Sequence, residues 1–179
     1  MANLQPVLET DRLVLYRLTK ADAIHMFDLM NTEGWLQFIG DRGIRTKADA
    51  ERYLAEKLMP AYTSVGFGFY AVREKISGCF TGICGLVKRD SLTDVDLGFA
   101  FLDAYKKRGY GFESAKGVMQ YAHETLKQER LLAIVQPDNQ ASIGLLEKLG
   151  FQFERIVKMP MGDEEIMLWG INISNSEIV

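Results

Sequence analysis

Between residues 94 and 126 the apolar pattern changes period once, and that change restricts the chain to folds in which a strand feeds directly into a helix. Through Asp94–Phe101 the period is two: Val95, Leu97, Phe99 and Phe101 point one way, while Asp94, Asp96, Gly98 and Ala100 point the other. After Gly109 it is helical, with Phe112, Ala115, Met119, Ala122 and Leu126 spaced 3, 4, 3 and 4 apart in one stripe. The join is a short basic turn, Lys106-Lys107-Arg108, followed by Gly109-Tyr110-Gly111.

The flanks extend the pattern. Leu13–Leu18 reads as a first strand, and Thr19 with Asp22 three positions later starts a helix that runs through Met30. Thr46 and Asp49 repeat that start signal ahead of Ala50, Tyr53, Leu54, Leu58 and Ala61, which follow helical spacing. Between the two helices, Thr32–Arg45 carries Gly34, Gly40 and Gly43 among aromatics and reads as a long loop. Gly66–Arg73, Cys79–Val87 and Asp94–Phe101 form a meander of three strands joined by short turns. Leu131–Gln136 is a continuous apolar run, as expected of a strand buried on both faces. Asp138–Leu149 reads as a helix closed by Gly150, and Phe151–Lys158 and Glu165–Ile171 as final strands around Met161-Gly162-Asp163. The order β-α-α-β-β-β-α-β-α-β-β is that of an α/β domain with a mixed sheet. At 179 residues, one well-filled core is expected, so residues 1–179 are read as a single domain with a core of roughly 8–172.

Bulk properties narrow the function. A chain 47% hydrophobic and 25% charged is globular rather than disordered, and a formal charge of −3 gives no broad reason to expect nucleic-acid binding or tight binding to an anionic membrane. Cys79 and Cys84 with His25 and His123 cannot assemble a zinc set, so no metal is expected, and the two cysteines read as core thiols. The start lacks a basic and apolar leader, and no apolar run approaches a membrane span; a soluble cytoplasmic protein is the expectation.

The basic turn has a chemistry of its own. The first N–H groups of a helix have no intrahelical partner, and the helix dipole makes that end positive. Gly109 and Gly111 remove side chains where a ligand must approach the backbone. A diphosphate seated there would satisfy orphan donors. No Gly-Lys-Ser/Thr follows, which excludes a Walker loop, and the third glycine of a dinucleotide fingerprint is absent.

The pattern Lys-x-x-Gly-x-Gly between a strand and Glu-Ser-Ala resembles motif A of the GNAT superfamily of N-acetyltransferases. Lys106 stands where the family usually has Arg or Gln. Asn139–Phe151 (NQASIGLLEKLGF) resembles motif B, about 30 residues downstream. The opening Leu8–Leu18 (LETDRLVLYRL) and Phe38–Arg42 (FIGDR) are similar to the branch containing ribosomal-protein N-terminal acetyltransferases. The resemblance covers roughly residues 8–170 and implies a mixed, mostly antiparallel sheet with a central splayed parallel strand pair and helices on both faces. It implies acetyl-CoA as co-substrate. The pantetheine arm would pair with the backbone of Phe99, Ala100 and Phe101, and the diphosphate would sit on Lys107, Arg108, Gly109, Tyr110, Gly111 and Phe112. Asn139 would bond the pantetheine side.

The implied reaction is direct attack by an amine, in a ternary complex, on the acetyl thioester. The amine must be neutral, which asks for a base or a water relay. Asp96 is the candidate base, and Asp94 shares its face. The motif B helix lacks the tyrosine that many relatives use on the departing thiolate, and Ser142 is the hydroxyl available there. Trp35, Phe38 and Phe69, with Phe67, are candidates to line an acceptor groove. His25 and His123 read as surface or packing residues. The acceptor would be a peptide N-terminus or a small amine, antibiotics and polyamines included, and the protein a monomer or homodimer. The alternative is a non-catalytic acyl-CoA-binding sensor or interaction module on the same fold.

Overall fold

Residues 5–158 and 164–174 are described by the computed structural model; the expected turn at Met161-Gly162-Asp163 lies outside them. The strands are β1 (Leu8–Glu9), β2 (Leu13–Arg17), β3 (Phe69–Glu74), β4 (Phe80–Val87), β5 (Asp96–Phe101), β6 (Arg130–Val135), β7 (Gln152–Lys158) and β8 (Glu165–Asn172). They form one sheet in the order β1-β2-β3-β4-β5-β6-β8-β7. Every neighbouring pair is antiparallel except β5 and β6, which run parallel as expected for the splayed pair.

The helices are α1 (Ala23–Met30), α2 (Glu33–Phe38), α3 (Lys47–Tyr53), α4 (Ala61–Ser64), α5 (Tyr110–Glu124) and α6 (Gln140–Lys148). Both expected capping boxes form. The Thr19 amide donates to the Asp22 carboxylate at 2.8 Å, and the Thr46 amide to Asp49 at 2.9 Å. A short 3-10 turn at Lys20–Asp22 precedes α1.

Two sequence expectations need correction. The segment 32–45 is not loop throughout, because α2 occupies its first half. Thr32 caps that helix, its hydroxyl accepting from the Trp35 amide at 3.3 Å. The glycines obscured a helix too short to show a full apolar stripe. The second correction concerns the helix expected to run on to Ala61. After α3 the chain widens into a π turn over Leu54–Leu58, with the Met59 amide donating to the Leu54 carbonyl at 2.9 Å. Pro60, which has no N–H to continue the ladder, then starts the separate α4.

Helices cover both faces of the sheet. On one, α5 and α6 bury Leu97, Ala115, Val118, Met119, Ala122, Leu131, Ala133 and Leu146. On the other, α1, α2 and α3 bury Met26, Leu29, Trp35, Ala50 and Leu54 against Ala71, Phe80 and Ile83. Each fully buried Leu- or Met-sized side chain contributes about 1.5–3 kcal/mol, so the stripe read from α5 holds that helix to the sheet. The β5 alternation assigns its faces correctly: Leu97, Phe99 and Phe101 pack with the α5 layer, and Ala100 with the α1–α3 layer.

Candidate active site

The parallel pair touches at one register position. Asp96 lies opposite Leu132, and the Leu132 amide donates to the Val95 carbonyl at 2.9 Å. Beyond that point β5 and β6 pair no further among the described residues, while β5 stays bonded to β4 as far as Phe101 opposite Gly82. The result is a wedge that opens toward the C-terminal ends of both strands. Because the Val95 carbonyl faces β6, strand alternation turns the backbone groups of Leu97, Phe99 and Phe101 toward the opening.

The basic turn stands at the mouth of the wedge. Gly109 caps α5 with φ of 82°, and Lys107 also has a positive φ, 60°. The first helical bond runs from the Glu113 amide to the Gly109 carbonyl at 3.0 Å. The amides of Tyr110, Gly111 and Phe112 come before it and have no carbonyl one turn back to bond. Gly111 permits a close approach: a Cβ there would lie 3.1 Å from Leu145 Cδ2 and 3.6 Å from Phe101 Cε2. Tyr110 is buried and its phenol donates to Glu74, whose other oxygen accepts from the Ser77 hydroxyl at 2.6 Å.

Two of the three cations of the turn are engaged elsewhere. Lys106 pairs with Asp103, and its Nζ lies 3.1 Å from where a Cβ on Gly34 of α2 would stand. The Arg108 guanidinium lies over the Tyr105 ring, 5.1 Å from its centre. The turn therefore presents an anion with backbone donors in a positive field, rather than with a lysine–arginine fork.

Asn139 caps α6, its side-chain oxygen accepting from the Ser142 amide at 3.1 Å. The capping reading is thus realised, and it uses the oxygen alone; among the described residues the Asn139 NH2 group donates to no one. Ser142, half-buried, sits in the first turn of that helix.

Asp96 sits at the vertex of the wedge and is only 1% exposed. Burial raises its pKa above the ordinary aspartate range, against the pull of the Arg89 guanidinium, whose Nε donates to it at 3.0 Å. Arg89 belongs to the β4–β5 connection, and nothing in the local sequence marked it as the partner. Asp94 is directed elsewhere, accepting from Thr93 at 2.8 Å and lying 3.5 Å from Arg130.

The aromatic candidates separate. Phe69 lies on the Asp96–Gly98–Ala100 face, its ring edge 2.8 Å from where a Gly98 Cβ would stand. Trp35 is buried in the core layer of α1–α3, so it offers no accessible surface to an acceptor, contrary to the expectation. Phe38 is half-buried at the end of α2. Phe67 precedes β3 and belongs to the opposite layer, with α5. His25 stacks on Phe80 with ring centres 5.0 Å apart; burial, then Arg73, lowers its pKa. Cys79 is exposed rather than a core thiol, whereas Cys84 is buried and its thiol is pushed up to about 12 by that burial. Among the described residues no cluster of three or more His, Cys, Asp or Glu could hold a metal ion, and no helix is long and apolar enough to cross a membrane.

Comparison with known proteins agrees with this fold. Residues 12–152 match the family model of the acetyltransferase (GNAT) domain. The uncharacterised N-acetyltransferase YoaA of Bacillus subtilis (strain 168) is 25% identical over 158 residues, which cover 87% of this chain and 88% of that protein. A GNAT-family acetyltransferase from Bacillus anthracis superposes with a TM-score of 0.78 at 20% identity, over 93% of this chain and 98% of that one. The ribosomal L7/L12 α-N-protein acetyltransferase RimL, in complex with coenzyme A, superposes with a TM-score of 0.81 at 13% identity, over 96% and 100%.

Proposed function

The chain belongs to the GNAT acetyltransferase family, and from that premise we propose that it moves the acetyl group of acetyl-CoA to a primary amine by direct attack in a ternary complex. The observation that carries the reading is the pairing of free helix-start amides at Tyr110–Phe112 with the unpaired β5 edge that leads away from them. A diphosphate on the turn would continue into a pantetheine arm lying along Leu97, Phe99 and Phe101 as an added strand. The coenzyme A held by the structural neighbour RimL supports that choice of donor. The Asn139 NH2 group is free to donate to an amide carbonyl of the arm.

The thioester then falls near the vertex, beside Asp96. The amine reaches it from the Asp96–Gly98–Ala100 face, where Phe69 forms part of the wall. Asp96, held ionisable by Arg89, takes a proton from the ammonium form directly or through one water. The neutral nitrogen attacks the carbonyl carbon, the tetrahedral nitrogen gives its second proton to solvent, the C–S bond breaks, and the sulfur leaves as thiolate. The Ser142 hydroxyl donates a hydrogen bond to that sulfur; as a poor acid it stabilises the charge, and solvent supplies the proton. Positioning alone contributes on the order of 7–11 kcal/mol to such a reaction. The acceptor is the α-amine of a peptide or the amine of a small molecule.

Calorimetric titration with acetyl-CoA, followed by a screen of N-terminal peptides and small amines for acetyl-CoA-dependent thiol release, tests the proposal. Binding together with release from an added amine is expected. Failure to bind acetyl-CoA would remove the reading, and binding without release from any amine would leave an acyl-CoA sensor in its place.

A further inference from the structure

The opening segment Leu8–Leu18, read in the sequence as a first strand and a family-like signature, is folded against the first half of α5. Its β1–β2 hairpin packs at Gly117, where an added Cβ would lie 2.9 Å from Thr10 Cγ2 and 3.1 Å from Leu8 Cδ1. From the hairpin tip Arg12 reaches the basic turn. Its Nη1 donates to the Arg108 carbonyl at 3.1 Å, and its guanidinium lies over the Tyr110 ring, 4.8 Å from the centre. Its Nη2 is 3.2 Å from where a Gly109 Cβ would stand. The Arg12 carbonyl is itself anchored, accepting from the Lys75 amide at 2.9 Å.

The same arginine deals with a charge in an awkward place. Glu113 lies in the first turn of α5, beside the amides that would receive a diphosphate, and a bare carboxylate there would repel it. Both of its oxygens are taken by the hairpin. Oε1 accepts from the Thr10 hydroxyl at 2.6 Å and the Arg12 amide at 2.7 Å, and Oε2 accepts from Arg12 Nε at 2.7 Å.

We propose that Arg12 is a positioning residue for the donor site: it fixes the Arg108–Gly109 backbone from behind and neutralises Glu113, so that the amides of the turn meet the diphosphate without a competing negative charge. The inference rests on the acetyl-CoA reading above. The link explains why two short motifs a hundred residues apart belong to one site. It also assigns the hairpin a role beyond covering a sheet edge.

The test is a calorimetric series with acetyl-CoA on the wild type, Arg12→Ala, Arg12→Lys and the double variant Arg12→Ala/Glu113→Gln, with melting temperatures in parallel. Arg12→Ala is expected to weaken binding about tenfold or more, through loss of charge-assisted bonds and exposure of the carboxylate. Removing the uncovered charge in the double variant should recover at least about threefold of that loss. Arg12→Lys keeps the charge but not the fork, and should fall between the wild type and Arg12→Ala. In steady-state assays KM for acetyl-CoA should rise more than kcat at saturating donor falls, a split that simple loss of folded protein would not give. Arg12→Ala binding as tightly as the wild type would overturn the proposal. So would a double variant no better than the single one, because a merely structural brace predicts no rescue. A wild type that does not bind acetyl-CoA would instead overturn the reading beneath it, before any variant is compared.

Discussion

The two ends of the wedge are made of different material, a proposed donor wall at its mouth and a proposed acceptor wall around its vertex. The donor wall at Lys107–Phe112 offers backbone: free amides, two positive-φ residues, and cations turned mostly toward other partners. The vertex offers side chains: a buried carboxylate tied to Arg89 and an aromatic ring over Gly98. A backbone site depends on conformation and tolerates change in the side chains around it. A side-chain site depends on the identity of each group and on its neighbours' charges. The donor wall should therefore fail when geometry is disturbed, and the acceptor wall when chemistry is.

That contrast breaks most readily at Gly109. Gly109→Val places a β-branched residue at φ of 82° with its Cβ against Arg12, and acetyl-CoA affinity should fall more than about a hundredfold in calorimetry. Next is Asp96→Asn, which keeps the shape of the vertex and removes the base. Turnover should drop about 10²–10⁴-fold with acetyl-CoA affinity retained, as read by paired kinetic and binding measurements. The sign of the pH dependence follows from the same residue. A base works only when ionised, and burial raises the Asp96 pKa, so kcat/KM should fall as the pH drops through a value above the ordinary aspartate range. Arg89→Ala, which removes the group pulling that pKa down, should move the limb further up; a limb that stays put would exclude Asp96 as the titrating base.

Smaller effects sharpen the division. Ser142→Ala should lower turnover about three- to tenfold, the worth of one hydrogen bond, with nearly unchanged acetyl-CoA affinity. Turnover equal to the wild type would take Ser142 out of the reaction. Lys106→Ala should change acetyl-CoA affinity by less than about threefold, because the side chain is paired with Asp103 on the surface.

The turn and helix start proposed as the donor wall were largely legible in the sequence because their determinants are local. Gly109, Gly111 and the α5 stripe are contiguous, and the period switch places the helix start without reference to the rest of the chain. Asn139 was legible as a cap for the same reason. The surroundings of Asp96, proposed as the acceptor wall, were not, because tertiary contacts make them. Arg89 finds Asp96 across a connection with no motif. Trp35 and Phe69 fall into one apolar layer while Phe67, two residues from Phe69, falls into the other. The brace from Arg12 to Glu113 spans a hundred residues and has no periodic trace at all. Short elements were equally hidden: α2 lies among glycines, and the π turn before Pro60 leaves the helical spacing of its apolar residues intact.

The central claim is that backbone amides, rather than the lysine and arginine side chains beside them, hold the donor's diphosphate. An amide-resolved NMR titration of the wild type with acetyl-CoA addresses it directly. The amide signals of Lys107–Phe112 should move downfield together on binding, as donors to an anion do, while the side-chain signals of Lys106 stay in place. Saturable binding that leaves those amides unmoved would contradict the account.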